Sequence, residues 1–289
     1  MQKEFSLKDL LLITPPFTQL NTPYPATAYI KGFLNTKNIS SYQIDLGIEV
    51  ILALFSKSGI EKIFSKTPSL EGTSENSKRI FALREEYIKT IDQVILFLQN
   101  KNPTLARQIC SMNFLPEASR FNQLDDMEYA FGNMGLQDKA KHLATLYLED
   151  ISDYMVENID ADFGFSRYAE RIGQSANSFE ELYEKLNDQH TFTDEFTLKI
   201  LQEKLDLVQP KLVCFSVPFP GNLYAAFRSA QFIKANYPNI KIAMGGGFPN
   251  TELRELKDAR VFEFFDYITL DDGELPLELV YENAISNKD

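Results

Sequence analysis

Residues 211–222 read KLVCFSVPFPGN and residues 240–247 read IKIAMGGG, with an amphipathic stretch between them. Lys211 to Val217 is a continuous apolar run with β-branched residues, the composition of a strand buried on both faces of a parallel sheet. Pro218 and Pro220-Gly221 end it. From Asn222, an N-cap residue type, apolar or small residues recur at Leu223, Ala226, Phe227, Ala230, Ile233 and Tyr237, the spacing of a helix with one buried face. Ile240 to Met244 is then a second strand that runs straight into Gly245, Gly246 and Gly247. Such a strand-helix-strand unit predicts an open α/β sheet, whose ligands bind where the strands end. Ser216 stands at one of these ends and the glycines at the next. Glycines there let a flat or bulky ligand lie against the backbone, and they equally suit a tight turn.

The same grammar recurs at both ends of the chain. Asp9 to Ile13 reads as a buried strand, followed by the loop TPPFTQLNTPYP, a helix from Ala26 to Thr36 and a short strand at Tyr42 to Leu46. After Gly247 come a short helix near Asn250 to Leu256, a fifth strand at Asp266 to Leu270, the turn Asp271-Asp272-Gly273-Glu274 and a last helix broken near Pro276. Five strands with right-handed helical crossovers imply a flavodoxin-like, Rossmann-like parallel sheet of order 2-1-3-4-5.

Residues 47–209 read helical and form an insertion between strands two and three, which divides the α/β domain into residues 1–46 and 210–289. Leu83, Tyr87, Ile91, Val94, Ile95 and Leu98 keep three- and four-residue spacing, as do Leu143, Leu146, Tyr147, Ile151, Tyr154 and Met155. No internal repeat is evident. The aromatic residues of DFGFSRY, residues 162–168, fit either a ligand or a loop packed on the core. A kinase reading of Asp162-Phe163-Gly164 fails, because no glycine-rich loop or strand lysine accompanies it.

Composition limits the function classes. The chain has 289 residues, a hydrophobic share of 44% and a net charge of −12. That balance disfavours nucleic-acid backbones and anionic membranes, which need a concentrated basic surface. No run is long enough to span a bilayer, and the apolar stretch before Pro15 is too short for a signal peptide or anchor. With two cysteines, Cys110 and Cys214, there is no disulfide framework, so the cytoplasm is the expected location.

The first loop narrows the ligand. Dinucleotide and flavin folds place glycine-rich phosphate loops after strand one, so that backbone N–H groups face phosphate. Thr14-Pro15-Pro16-Phe17-Thr18-Gln19 has two prolines, hence two missing donors, and no glycine. Nor does it carry the acidic pair or accepting aspartate of a phosphorylated receiver domain. Asp45, at the end of strand two, suits either a ribose hydrogen bond or a turn or cap. Ligand contacts therefore fall to strands three, four and five.

These residues resemble a known family. Ser216-Val217-Pro218, twenty-six further residues and Gly245-Gly246 are similar to the S-x-L…G-G half of the cobalamin-binding signature. LLLITPP with YPATAYIKGFL, and FFDYITLDDGELPLELV at the far end, resemble the N-terminal domains of cobalamin-dependent radical S-adenosylmethionine enzymes. The similarity covers residues 9 to 46 and 210 to 282. It implies that Ser216 hydrogen-bonds the nucleotide tail of cobalamin and that the loop Val217, Pro218, Phe219, Gly221, Asn222 and Leu223 lies beside the tail or corrin rim. Gly245, Gly246 and Gly247 would flank the dimethylbenzimidazole base, with Phe248 as an apolar lid. Leu270, Asp272, Gly273 and Glu274 would close the far side of the pocket. For Ser216 a strand-end hydroxyl bonded to backbone is the competing role; for Asp272 and Glu274 it is a helix N-terminus, where carboxylates are favoured.

The chain departs from the family pattern at two points. The D-x-H-x-x-G histidine that ligates cobalt in methyltransferases and mutases has no counterpart in Thr14 to Gln19, and His142 and His190 lie in the helical stretch. Cobalamin would then bind base-off without a histidine, over an apolar floor of Thr14, Pro15, Pro16 and Phe17. The C-x-x-x-C-x-x-C triad that holds a radical iron-sulfur cluster is also missing. The chain is therefore expected to be the N-terminal piece of a longer enzyme. The cluster, S-adenosylmethionine and a small-molecule or peptide substrate would meet in a radical domain after Asp289, methyl transfer being one such reaction. The competing expectations are a degenerate fold that binds no cofactor and recognises a substrate or partner, and a flavin- or nucleotide-binding flavodoxin-like protein.

Overall fold

A computed structural model describes residues 8–18, 23–67, 69–111, 113–123, 135–165 and 179–286. In chain order the elements are β1 (Leu10–Thr14), α1 (Ala26–Thr36), β2 (Ser41–Asp45), α2 (Leu46–Leu54), α3 (Lys57–Lys66), α4 (Glu75–Ala82), α5 (Arg84–Leu98), α6 (Ala106–Ile109) and α7 (Leu136–Asn158). There follow α8 (Phe179–Asn187), α9 (Phe192–Val208), β3 (Leu212–Ser216), α10 (Leu223–Asn236), β4 (Lys241–Gly245), α11 (Gly247–Thr251), β5 (Tyr267–Ile268) and α12 (Glu274–Tyr281). The five strands form one parallel sheet in the order β2-β1-β3-β4-β5, which is the flavodoxin-like α/β arrangement expected from the sequence.

The chain divides into two compact units, residues 1–50 with 164–289, and residues 51–163. In the first, alternate strand residues pack on opposite faces of the sheet. Leu10, Leu12, Leu212, Cys214 and Ala243 cluster with Leu34 of α1 and Leu277 of α12. An aromatic group packs together elsewhere in this unit, where Phe215 of β3 meets Phe265 at 6.2 Å and Phe227 of α10 meets it edge-on at 4.9 Å.

Helices α8 and α9 belong to this unit, so the helical stretch expected over 47–209 is shared between the two units. The reason is a buried polar network on α10. Arg228, 2% exposed, pairs with Asp194 of α9 at 3.2 Å. It also donates to the last carbonyls of α8, Lys185 at 3.1 Å and Leu186 at 2.8 Å. Tyr224 completes the group by donating to Asp194 at 2.8 Å.

The second unit contains α3 to α7 and an apolar core with Ile60, Ile63, Val94 and Ile151 wholly buried. Tyr87 of α5 and Tyr147 of α7 stack at 5.0 Å, and the Tyr147 hydroxyl lies 3.0 Å from that of Thr90. Phe163 is buried against Phe55 at 6.2 Å, which fits the packed-loop alternative for that residue; 166–168 lie outside the described residues.

Three elements differ from expectation by more than a one-residue shift of an end. Where a strand was expected over 266–270, β5 has two residues, although Asp266 N–H donates to Ile242 and Thr269 N–H to Met244, both at 2.8 Å, on either side of it. Helix α11 starts at Gly247 rather than near Asn250, because Asn250 N–H already reaches the Gly246 carbonyl at 3.3 Å. Pro276 does not break α12: it lies in the first turn, where a helix needs no amide donor.

Candidate cofactor site

A cavity of about 410 Å³ opens at the carboxyl ends of the strands. Leu12, Cys214 and Ala243 form its floor, and residues from the starts of α1 and α12 form its walls. The sheet alternation that buries Leu12 and Cys214 on this face brings Ser216 to the same side one step further along. Ser216 is 8% exposed and lines the cavity. Its hydroxyl has no hydrogen-bond partner among the described residues. Burial pushes the Cys214 thiol well above its ordinary value, which keeps it an uncharged part of the floor.

The glycines have separate jobs. Gly245 continues the floor, paired with Ser216. Gly246 has φ 112°, and a Cβ there would lie 2.7 Å from the amide nitrogen and carbonyl oxygen of Val217. It is small because two backbone segments meet: Val217 N–H donates to Gly245 at 2.8 Å, and Phe248 N–H donates to Val217 at 3.1 Å. A Cβ on Gly247 would lie 3.2 Å from the Pro218 carbonyl oxygen. All three glycines line the cavity, yet each is required first by the chain itself, since a Cβ on Gly245 would press on the Thr269 hydroxyl.

The turn before α12 is held by α11. Asn250 accepts from Asp271 N–H at 2.7 Å and donates to the Asp271 carbonyl at 3.2 Å, while Arg254 pairs with the Asp271 carboxylate. This clamp fixes Asp271 at φ 65° and leaves Asp272, Gly273 and Glu274 facing the cavity. Across the mouth, the Glu274 carboxylate faces the Tyr29 hydroxyl and raises its pKa. Among the described residues three carboxylates and no Lys, Arg or His line the cavity, so its floor is apolar and its α12 side is acidic.

Seven residues expected to contact a cofactor therefore meet here: Ser216, Gly245, Gly246, Gly247, Asp272, Gly273 and Glu274. The others lie outside the lining. Thr14, Pro15, Pro16 and Phe17, expected as a floor under cobalt, are all buried. They are covered because Asn222 donates to the Pro15 carbonyl at 2.6 Å and Phe17 N–H donates to Gly221 at 3.2 Å, zipping the loops after β1 and β3 together. Val217, Leu223 and Phe248 are core side chains, so Phe248 is no lid. Pro218 packs under Gly247, while Leu270 precedes the clamped turn. Phe219 is 48% exposed and meets Tyr24 edge-on at 5.7 Å. Asp45 serves as a cap, accepting from Ile48 N–H at 3.0 Å, and burial raises its pKa.

The α1 wall, with Tyr24, Thr27, Tyr29 and Ile30, was not anticipated from the sequence. The sequence marked a helix over Ala26 to Thr36 but not which end would overlook the strand ends. His142 and His190 are not in the lining. Among the described residues no group of three or more His, Cys, Asp or Glu is placed to hold a metal ion. Comparison of the chain with protein-family models, curated proteins and solved structures finds no match. Chemically the cavity joins an apolar floor to a polar, acidic rim.

Proposed function

We propose that this chain is a cobalamin-binding module and that the cavity receives the nucleotide tail of the cofactor, base-off and without a histidine ligand. The observation that carries this reading is the convergence of Ser216, the glycine run and the 272–274 turn on one cavity, the three places to which the sequence resemblance assigns the tail. The residues present fit such a group. Leu12, Cys214 and Ala243 offer a flat apolar surface to a benzimidazole, and Gly245 adds no side chain above it. The Ser216 hydroxyl can bond a base nitrogen or ribose oxygen. Carboxylates at the mouth can accept N–H bonds from the amide side chains around a corrin.

Bound cobalamin would supply a cobalt centre able to carry a methyl group. This chain's residues bind and orient the tail, and they exclude water from the base. The reaction itself belongs, on this reading, to a radical S-adenosylmethionine domain outside the chain, acting on a small molecule or peptide.

Titration of the protein with hydroxocobalamin and with cobinamide, which lacks the nucleotide tail, tests the proposal through the corrin absorption spectrum. Cobalamin is expected to bind more tightly than cobinamide. Ser216→Ala should weaken cobalamin about fivefold, the worth of one hydrogen bond, and Ala243→Leu, which fills the floor, should remove the preference for cobalamin. Equal binding of the two corrinoids, or no spectral change with either, overturns the assignment.

A further inference from the structure

Helix α1 starts without a side-chain cap. Pro25 is its N-cap, its first turn holds no acidic residue, and its first bond runs from Tyr29 N–H to the Pro25 carbonyl at 3.0 Å. The amides of Ala26, Thr27 and Ala28 have no partner among the described residues. Thr27 is 7% exposed and lines the cavity. Its hydroxyl, like that of Ser216, makes no hydrogen bond among the described residues, whereas Thr36 at the other end of the helix donates to the Phe33 carbonyl at 2.7 Å. The Thr27 hydroxyl and the amides beside it are thus donors left open to a ligand.

The start of α12 opens on the same cavity but differs in charge. Glu274 stands in its first turn and Asp272 just before it, so carboxylates already offset its positive end. Those carboxylates repel an anion on the α12 side. Glu274 also faces Tyr29 in the first turn of α1, so an anion at the α1 start would be held by the free amides there against that carboxylate.

We infer that the N-terminus of α1, with the hydroxyls of Thr27 and Ser216, is a subsite for a phosphate ester. The inference rests on the cofactor reading for its ligand, since a nucleotide tail carries a phosphodiester, but its chemistry stands on the α1 start and the two hydroxyls. The prolines of the first loop remove donors at positions 15, 16, 23 and 25; Ala26, Thr27 and Ala28 keep theirs. Phosphate recognition thus falls to a helix start rather than to a glycine loop.

The test is an amide NMR titration of the full chain with inorganic phosphate, ribose 5-phosphate and ribose. The signals of Ala26, Thr27 and Ala28 should move with both phosphates and stay still with ribose. Thr27→Ala should weaken ribose 5-phosphate about fivefold, Thr27→Ser should restore it, and Thr27→Glu, which puts a carboxylate at the anion position, should abolish it. Signals from β3 and β4 report whether each variant keeps its fold; if Thr27→Glu does not, the alanine and serine variants carry the comparison. Movement confined to other residues, an equal response to ribose, or wild-type affinity in Thr27→Ala overturns the subsite. Ribose 5-phosphate binding here without cobalamin binding would reject the cofactor and keep the subsite. Cobalamin binding with these amides unmoved would do the reverse.

Discussion

Ser216 and Gly246 sit close together, yet different forces select them. Ser216 has a hydroxyl with no partner among the described residues, so Ser216→Ala should leave stability within about 0.5 kcal/mol of wild type while lowering ligand affinity. Gly246 is the opposite case. Its φ of 112° and the approach of the Val217 backbone to 2.7 Å of a would-be Cβ make Gly246→Ala a strained substitution, expected to cost about 2–4 kcal/mol in urea unfolding. Gly72 is the control: it also has positive φ, at 82°, but meets nothing within 4 Å, and Gly72→Ala should cost about 1 kcal/mol. Equal losses at the two positions would show that contact with Val217 is not what selects glycine. Three consecutive glycines signalled a close approach in the sequence. That the approaching group at Gly246 is the protein's own backbone depends on a loop some thirty residues earlier, which no local pattern encodes.

At the scale of elements, the strands and α1 were readable because burial imposes local regularity. Leu10 to Thr14 and Leu212 to Ser216 are apolar almost throughout and buried on both faces. The ends of α11 and α12 were less readable, since proline in a first turn looks the same in sequence as proline that stops a helix. The attachment of α8 and α9 depends on Arg228, an ordinary-looking charge in an amphipathic helix. Removing it takes the counter-charge from the Asp194 carboxylate, which is 1% exposed, and takes the guanidinium donors from the end of α8. Arg228→Met should therefore destabilise by about 3–5 kcal/mol. Hydrogen exchange is expected to show the loss first over 179–208; uniform loss across the sheet would argue that the network supports the whole unit rather than these two helices.

Across the whole molecule, the unit of residues 51–163 carries its own pH dependence. Asp150, wholly buried, accepts from the amides of Ala118 and Arg120, each at 3.1 Å. Desolvation nevertheless raises its pKa to about 6, with Asp153 adding to the rise and Arg120 opposing it. The folded pKa lies above the unfolded value of about 3.9, so the folded state binds this proton more tightly. Its stabilising contribution is full below about pH 4 and is lost as pH rises through 6, a difference of about 2–3 kcal/mol. Hydrogen-exchange protection of residues 51–163 should fall between about pH 4 and pH 6.5, and Asp150→Asn should flatten that slope; an unchanged slope would place the titration elsewhere. The sequence by itself determined the sheet order, the helical character of the interruption and the strand ends around which the cavity opens, because buried-strand composition, helical spacing and glycine-proline punctuation act over a few residues. Only the tertiary structure decided which side chains face the cavity. Its floor joins Leu12 to Cys214 and Ala243, its walls are the starts of α1 and α12, and the loops that seal off Thr14 to Phe17 are bonded across 207 positions of chain. Packing between segments so far apart sets orientation, and orientation left Thr27 rather than Pro16 looking into the site.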